Sequence, residues 1–580
     1  MRKLLISPVI GFFGTRLGFW LSLVIGVVLI NLGMLSLACQ LSFQAVTELT
    51  EAKFLAAAKT TQRAQVLIGG YRIITLGILP DFVVADQALG AISITLQTEQ
   101  QFELLLVSAL QAQSKQSLKT LLPNLKLIAQ KLNLINSLLP KTWVLNRVLP
   151  DQTGQKIVAA TTWLADLETL VTFLSEDKQT WVVLLQNNDE LRAAGGFPGS
   201  YVLLNVDQGR LAEIVVEDIY DADGQFNGYV SPPAGIKEYT SANRGLRLPD
   251  ANWWPDFPKS AETILRFFAL GNKPHVTGLI AVNLSTAQKI LSVTGPIWLP
   301  DYQVTVTDQN IGEVLRAERS EFFPGSSQKK HLLSQTLTQL KQKLTALNPD
   351  QQRQLLAFLL SEVAEKNIQV YSLQPTLQAI ISRYRLAGTL GNTADWQAEL
   401  TQCQCQPVWV GLVESNVGIN KVNKFVTRST KIHFDQDSTQ VTTTFNNLAT
   451  PPTETELSAF LAKPALQRPR NGNGYLNYYR LLISPQYELK TITVGQTNIT
   501  NWDDQLLTTS LGLELRQIGV LVAVPEQQSS TVSFELTNQT ELPAAVAIYK
   551  QSGLPPTKYT LSTPNFSQEF ELRTDSLISL

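Results

Sequence analysis

The sequence predicts a multidomain, membrane-anchored chain: an N-terminal transmembrane helix, a helical bundle or stalk, an α/β sandwich and a C-terminal β-sandwich. Three observations predict it. An early apolar run is free of charge, a Leu-, Ala-, Gln- and Lys-rich stretch follows, and the texture then changes twice, near Thr180 and near residue 400.

The apolar run is Leu17 to Ala38, LGFWLSLVIGVVLINLGMLSLA, twenty-two residues without a charge. At helical rise it spans roughly 30 Å, the thickness of a bilayer core. Arg2, Lys3 and Arg16 precede it, while Glu48, Glu51 and Lys53 follow. That asymmetry predicts a cytoplasmic segment 1–16, a single-pass span 17–38 and an extracytoplasmic remainder. The run is longer than the apolar core of a cleaved signal peptide, which favours a retained anchor. Leu35-Ser36-Leu37-Ala38-Cys39 loosely resembles a lipidation box, with its leucine one place early.

Residues 41–177 read as a helical, membrane-proximal domain. Apolar residues recur at helical spacing through Thr47–Leu67, Phe102–Leu110 and Leu118–Leu139, and Pro80, Pro123, Pro140 and Pro150 cut the stretch into helices of ordinary length. Residues 178–400 alternate strands with helices. TWVVLLQNN is a strand, and YVLLNVDQGRLAEIVVEDI is a hairpin turning at Asp207–Arg210. A helix starts near Pro258, and VTGLIAV, LSTAQKILSV, Leu332–Leu347 and NIQVYS continue the alternation. Residues 401–580 carry Thr- and Val-rich runs such as KFVTRSTKIHFDQ, STQVTTTFNNL and STVSFELTN, which predict an Ig-like β-sandwich.

Composition narrows the function classes. Lys+Arg 47 balances Asp+Glu 48, so no basic face for nucleic acid is expected. Three cysteines and three histidines are too few for a disulfide framework or a zinc site, and Cys403-Gln404-Cys405 reads as two loop thiols because a bridge that short is strained. No nucleophile elbow, Walker loop or Ser-His-Asp spacing is present.

The segments LLQNNDELRAAGGFPGSY, NWWPDFPKSAE and VTGLIAVNLSTAQKILSVTGPIWLP resemble the bacterial family catalogued as domain of unknown function 4012; EKNIQVYS and VESNVGINKVNKFV extend the resemblance over most of residues 180–430. More distantly, the order of pieces is similar to the LytR-CpsA-Psr ligases, membrane-anchored enzymes that transfer glycopolymers from polyprenyl-pyrophosphate lipids to the cell wall. This second resemblance implies an α/β LytR-CpsA-Psr-like sandwich in which Arg192, Gly195, Gly196, Arg316, Arg319, Lys329 and Lys330 gather round a pyrophosphate. Arginine supplies paired donors, lysine a point charge and a helix start its N–H groups. Asp218 and Asp221, after the strand EIVVED, would act as base, with Asp218 binding magnesium. The chain departs from the ligases in three places. Gly195–Ser200 replaces their Arg-x-Asp-Thr-like motif, Val216-Glu217-Asp218 replaces Pro-Arg-Asp, and Arg316-x-x-Arg319 replaces Arg-x-Arg, which on a strand would split the two arginines between faces.

Each candidate also has a plain structural reading. The Gly195–Gly199 run is an anion nest or a tight turn between strands, and Trp253-Trp254 is a sugar platform or a packed loop. Two functions follow: a glycopolymer transferase or pyrophosphate-lipid binder, and a non-catalytic envelope scaffold, adhesin or polymer-binding protein.

Overall fold

The computed structural model describes parts of 80–101, then 118–142, 152–175, 178–317, 327–451, 473–537 and 542–580, apart from residues 242, 272 and 274. The expected span 17–38, Cys39 and Arg319 lie outside the described residues. The chain divides into two compact units. One holds residues 1–179 with 205–213 and 344–346; the other holds 180–204, 214–343 and 347–580.

In the first unit, helix α1 (Leu122–Leu138) buries Leu125, Ile128, Leu132 and Ile135, a stripe at helical spacing. It packs on α2 (Thr153–Leu174), which buries Ala160, Leu164 and Val171. Lys126 reaches Glu168 at 3.3 Å across the pair. By length and composition α2 is long and apolar enough to cross a membrane. Core helices of water-soluble bundles meet the same criterion, and α2 carries Asp166 and Glu168 on its length.

The second unit opens with β1 (Gln179–Arg192), β2 (Gly195–Asp207) and β3 (Arg210–Asp218). Between β2 and β3 the turn places Gln208 (φ 50°) and Gly209 (φ 77°) in the left-handed region, as a two-residue hairpin requires. Helices α3 (Ile219–Asp223) and α4 (Phe257–Leu270) lead to β4 (Gly278–Asn283), which pairs parallel with β1. After α5 (Leu284–Thr294), the small hairpin β5 (Ile297–Leu299) and β6 (Val304–Val306), α6 (Ile311–Ala317), α7 (Ser327–Thr345) and α8 (Pro349–Ala364), strand β7 (Ile368–Ser372) completes a five-stranded sheet of order β3-β2-β1-β4-β7. Helix α9 (Pro375–Arg383) and α10 (Gln397–Cys403) then lead into the β-rich part.

That part has two stacked sheets. One orders β13 (Thr497–Asn498), β12 (Glu488–Val494), β16 (Ser529–Thr537), β10 (Ser438–Asn447), β9 (Val426–Phe434), β18 (Thr557–Thr563) and β19 (Phe566–Leu572). The other orders β14 (Asp503–Thr508), β15 (Glu514–Val524), β11 (Tyr475–Ile483), β8 (Val408–Asn416), β17 (Ala545–Tyr549) and β20 (Ser576–Ser579). Val410, Leu412, Tyr479 and Leu481 of the second sheet meet Ile432, Phe445 and Phe534 of the first in one core. Its other face packs on the α/β layer, where Tyr478 joins Trp253, Phe257 and Phe268. The central strands β11, β8 and β17 of the six-stranded sheet are therefore buried on both faces.

Buried polar bonds close this junction. Asn283 Nδ2 donates to Asn367 Oδ1 and Ser552 Oγ, Tyr549 Oη to the Pro255 carbonyl, and Arg480 Nη1 to the Trp253 carbonyl. Lys366 meets Asp575 at 2.7 Å, both nearly buried. Trp253 stacks on Tyr478 and is 2% exposed, so it serves as packing rather than an open sugar platform. The structure also corrects the reading of Cys403 and Cys405 as free thiols. They are joined in a disulfide, their Cα atoms 5.1 Å apart, a separation within the ordinary range that the left-handed Gln404 between them permits.

Candidate functional site

The residues expected to surround a pyrophosphate fall into two sets with different partners. Arg192 ends β1, where the strand runs past the sheet into the junction, and its side chain is 2% exposed. Its Nη1 donates to the carbonyls of Leu191 and Asn416, and its Nη2 to Glu190 Oε1 and Asp250 Oδ1, both at 3.2 Å. Nε makes a further bond to Asp250. The second oxygen of Glu190 takes Lys421 at 3.1 Å, and the guanidinium lies 5.2 Å from the Phe197 ring centroid. Burial pushes the Asp250 carboxyl above the usual carboxylate range, against the lowering pull of Arg192.

The glycines beside it are needed for close approach. At Gly195 (φ 128°) a Cβ would stand 2.1 Å from Gln186 Oε1, and at Gly196 2.1 Å from the Asn187 carbonyl carbon. The Gly196 N–H that an anion nest would offer is already donated to Asn283 Oδ1, and the Gly196 carbonyl accepts from Asn252 Nδ2. The run is neither a nest nor the turn itself: the turn is Ala193–Ala194, and Gly195–Gly199 opens strand β2 packed closely against β1.

The second set lies at the β3–α3 corner. Asp218 caps α3, its Oδ1 accepting from Tyr220 N–H at 3.0 Å. Lys330, on the first turn of α7, reaches Glu217 at 3.0 Å and Asp221 at 2.5 Å. Burial is the largest single influence and works to raise the Asp221 carboxyl, but the hydrogen bonds of Lys330 and Glu217 and the Lys330 charge together hold the group below its ordinary value; Lys330 is raised by the same carboxylates. Tyr201 is wholly buried beside them, its ring 4.8 Å from Phe268, and burial with the three carboxylates pushes its hydroxyl pKa up.

Magnesium does not fit this set. Lys330 already lies against two of the three carboxylates, Asp218 is engaged as a cap, and among the described residues no group of three or more His, Cys, Asp or Glu side chains is placed to hold a metal ion. Arg316 belongs to helix α6, not to a strand, which removes the expected split of Arg316 and Arg319 between sheet faces. Lys329 lies on the first turn of α7 beside Lys330.

Sequence reasoning missed the partners that decide the Arg192 site. Glu190, Asp250, Asn416 and Gln551 come from four separate segments; Gln551 Nε2 donates to the Arg192 and Glu414 carbonyls. One local signal was available, the spacing of Asn416, Asn420 and Asn423. Asn416 Nδ2 bonds both of the other two, and Asn423 Oδ1 accepts from Leu191 N–H.

By class, then, this is an α/β sheet joined to a β-sandwich through a buried polar junction. Residues 176–319, from the start of β1 to just past α6, match the model of the family described as protein of unknown function (DUF4012). The match is shorter than the 180–430 suggested by resemblance. No curated protein and no solved structure matches the chain.

Proposed function

We propose that this chain is a membrane-anchored, extracytoplasmic cell-envelope protein that binds polymer without catalysing its transfer. The anchor is the charge-free run 17–38 with its preceding positive charge. The Cys403–Cys405 disulfide supports an oxidising compartment. One observation carries the non-catalytic reading. The cation central to pyrophosphate capture, Arg192, is closed between Glu190 and Asp250. An entering pyrophosphate would meet two carboxylates before it met the guanidinium, and like charges at such range repel. The LytR-CpsA-Psr-like transferase remains the second reading, supported by the order of its pieces along the chain.

The test is binding of a polyprenyl-pyrophosphate lipid to the full chain in detergent micelles, with and without magnesium, beside Arg192→Ala. The expected result is no saturable binding in either protein. Tight magnesium-dependent binding that Arg192→Ala abolishes while the fold persists would overturn the non-catalytic reading and restore the transferase.

A further inference from the structure

Cys403 ends α10, and Cys405, two residues on, precedes β8; their disulfide closes a ring over one residue, Gln404. A bridge that short joins no two elements of the fold, and in the chain-entropy account a disulfide stabilises less the smaller the loop it closes. Packing does not shelter it either. Cys403 is exposed, Cys405 is half-buried, and Thr401, Gln402, Gln404 and Gln406 beside them are exposed. Exposed bridges are the labile kind that exchange with thiols, in contrast to the sheltered ones that fasten a fold.

The backbone beneath the bridge is held without it. Trp396, just before the helix, lies 5.9 Å from Trp409 of β8 and 5.3 Å from the Arg385 guanidinium, and Leu400 packs on the same cluster. Past the last turn, Gln404 N–H donates to the Thr401 carbonyl and Cys405 N–H to the Leu400 carbonyl, both at 3.3 Å. None of these contacts involves sulfur, so opening the bridge leaves two thiols within bridging range, and a dithiol held so closely recloses fast. One carboxylate, Glu399, stands a helical turn before Cys403; it is exposed to water, so it slows an approaching thiolate at low salt without barring it. The side chains flanking the sulfurs are the amides of Gln402, Gln404 and Gln406, each able to donate to and accept from a peptide backbone.

We propose that Cys403–Cys405 is a thiol–disulfide exchange centre that passes its bridge to an extended polypeptide carrying two thiols. This goes beyond the polymer-binding reading and does not depend on it. A thiolate of the polypeptide attacks the exposed Cys403 Sγ; the S–S bond breaks, and its electron pair leaves on Cys405 Sγ, which takes up a proton. The second thiolate of the polypeptide then attacks its own sulfur in the mixed disulfide and expels Cys403, which is protonated in turn. Two electrons pass to Cys403 and Cys405, the two thiol protons of the polypeptide are replaced by its new disulfide, and the chain is left as a dithiol. Recharging needs a second disulfide, such as oxidised glutathione, and runs through the same exchange in reverse.

The experiment mixes the oxidised full chain, in detergent micelles, with a reduced, unstructured peptide carrying two cysteines, beside reduced glutathione and beside the double variant Cys403→Ser, Cys405→Ser. Acid quenching, alkylation and mass spectrometry follow the peptide and the fragment holding Cys403 and Cys405. The expected result is one peptide disulfide formed per chain, at a rate roughly tenfold above that with the double variant, while the 403–405 fragment becomes a dithiol and the melting midpoint of the chain stays where it was. A bridge that remains closed against excess peptide, or peptide oxidation that the double variant matches, overturns the proposal. A melting midpoint that falls sharply once the bridge is opened overturns it too, by marking the disulfide as structural. Opening by glutathione alone, with the peptide left reduced, overturns the assignment of a polypeptide substrate.

Discussion

Replacing Arg192 by Ala separates a structural arginine from a ligand clamp. The side chain is 2% exposed and holds Glu190, Asp250 and two carbonyls. Its removal leaves the partly buried Asp250 without its cation and the Asn416 carbonyl without this donor. Breaking a buried pair in this way costs about 3–5 kcal/mol at neutral pH. The cost depends on pH with a definite sign. Burial already raises the Asp250 carboxyl, and without Arg192 it rises further. A carboxyl with a folded value above its unfolded value adds stability that is present at low pH and lost as pH climbs through the folded value. The gap between wild type and variant therefore widens from roughly pH 4 upward to neutrality. Urea unfolding of the full chain in detergent, followed by tryptophan fluorescence at pH 4.5 and 7.5, measures both. A variant within about 1 kcal/mol of wild type at pH 7.5, or a gap indifferent to pH, refutes the reasoning; a clamp that waits for a ligand predicts that outcome.

Three further outcomes are expected. Gly196→Ala fails to give the folded protein, because the new Cβ would stand 2.1 Å from backbone of Asn187 that cannot give way; loss of amide-exchange protection in β1 reads this, and native-like protection contradicts it. Lys550 is fully buried, and desolvation pushes its ammonium down to about 8, against the pull of Glu365. A depressed folded value means stability that grows as pH rises above it. Wild type should thus gain on Lys550→Met by up to about 1.4 kcal/mol per pH unit between pH 8 and 10, and parallel denaturation midpoints across that range would contradict the assignment. Peptide mapping of unreduced chain should recover Cys403 and Cys405 as one bridged peptide, and Cys405→Ser should cost no more than about 1.5 kcal/mol because the closed loop is so short.

What the sequence made legible followed its periodicity. The strand TWVVLLQNN, the hairpin at Gln208–Gly209, the helix through Phe268 and the β9, β10 and β16 runs lie where alternation or helical spacing placed them. Among the strands missed were β8, β11 and β17. Sandwiched on both faces, they are buried along their whole length or nearly so, and such a strand shows no alternation to read. VWVGLVESN even ends in Glu414, Ser415 and Asn416, which look like a loop until Tyr475, Arg480 and Arg192 supply their partners. The candidate site failed for a related reason. Residue type identified Arg192 and Asp221 as chemically capable, but their partners Asp250 and Lys330 lie 58 and more residues away, beyond any spacing rule.

The sandwich also dictates when the protein can become itself. Strand β8 lies between β11 and β17, and β9 between β10 and β18; β17 and β18 join them in parallel from the last stretch of the chain. Until residues 545–563 have been made, both sheets stop at raw edges, and Gln551 and Ser552 are absent from the junction they complete. Long-range pairing of this kind is slow to form. Loss of residues 545–580 therefore undoes both sheets, including strands that begin as far back as Val408.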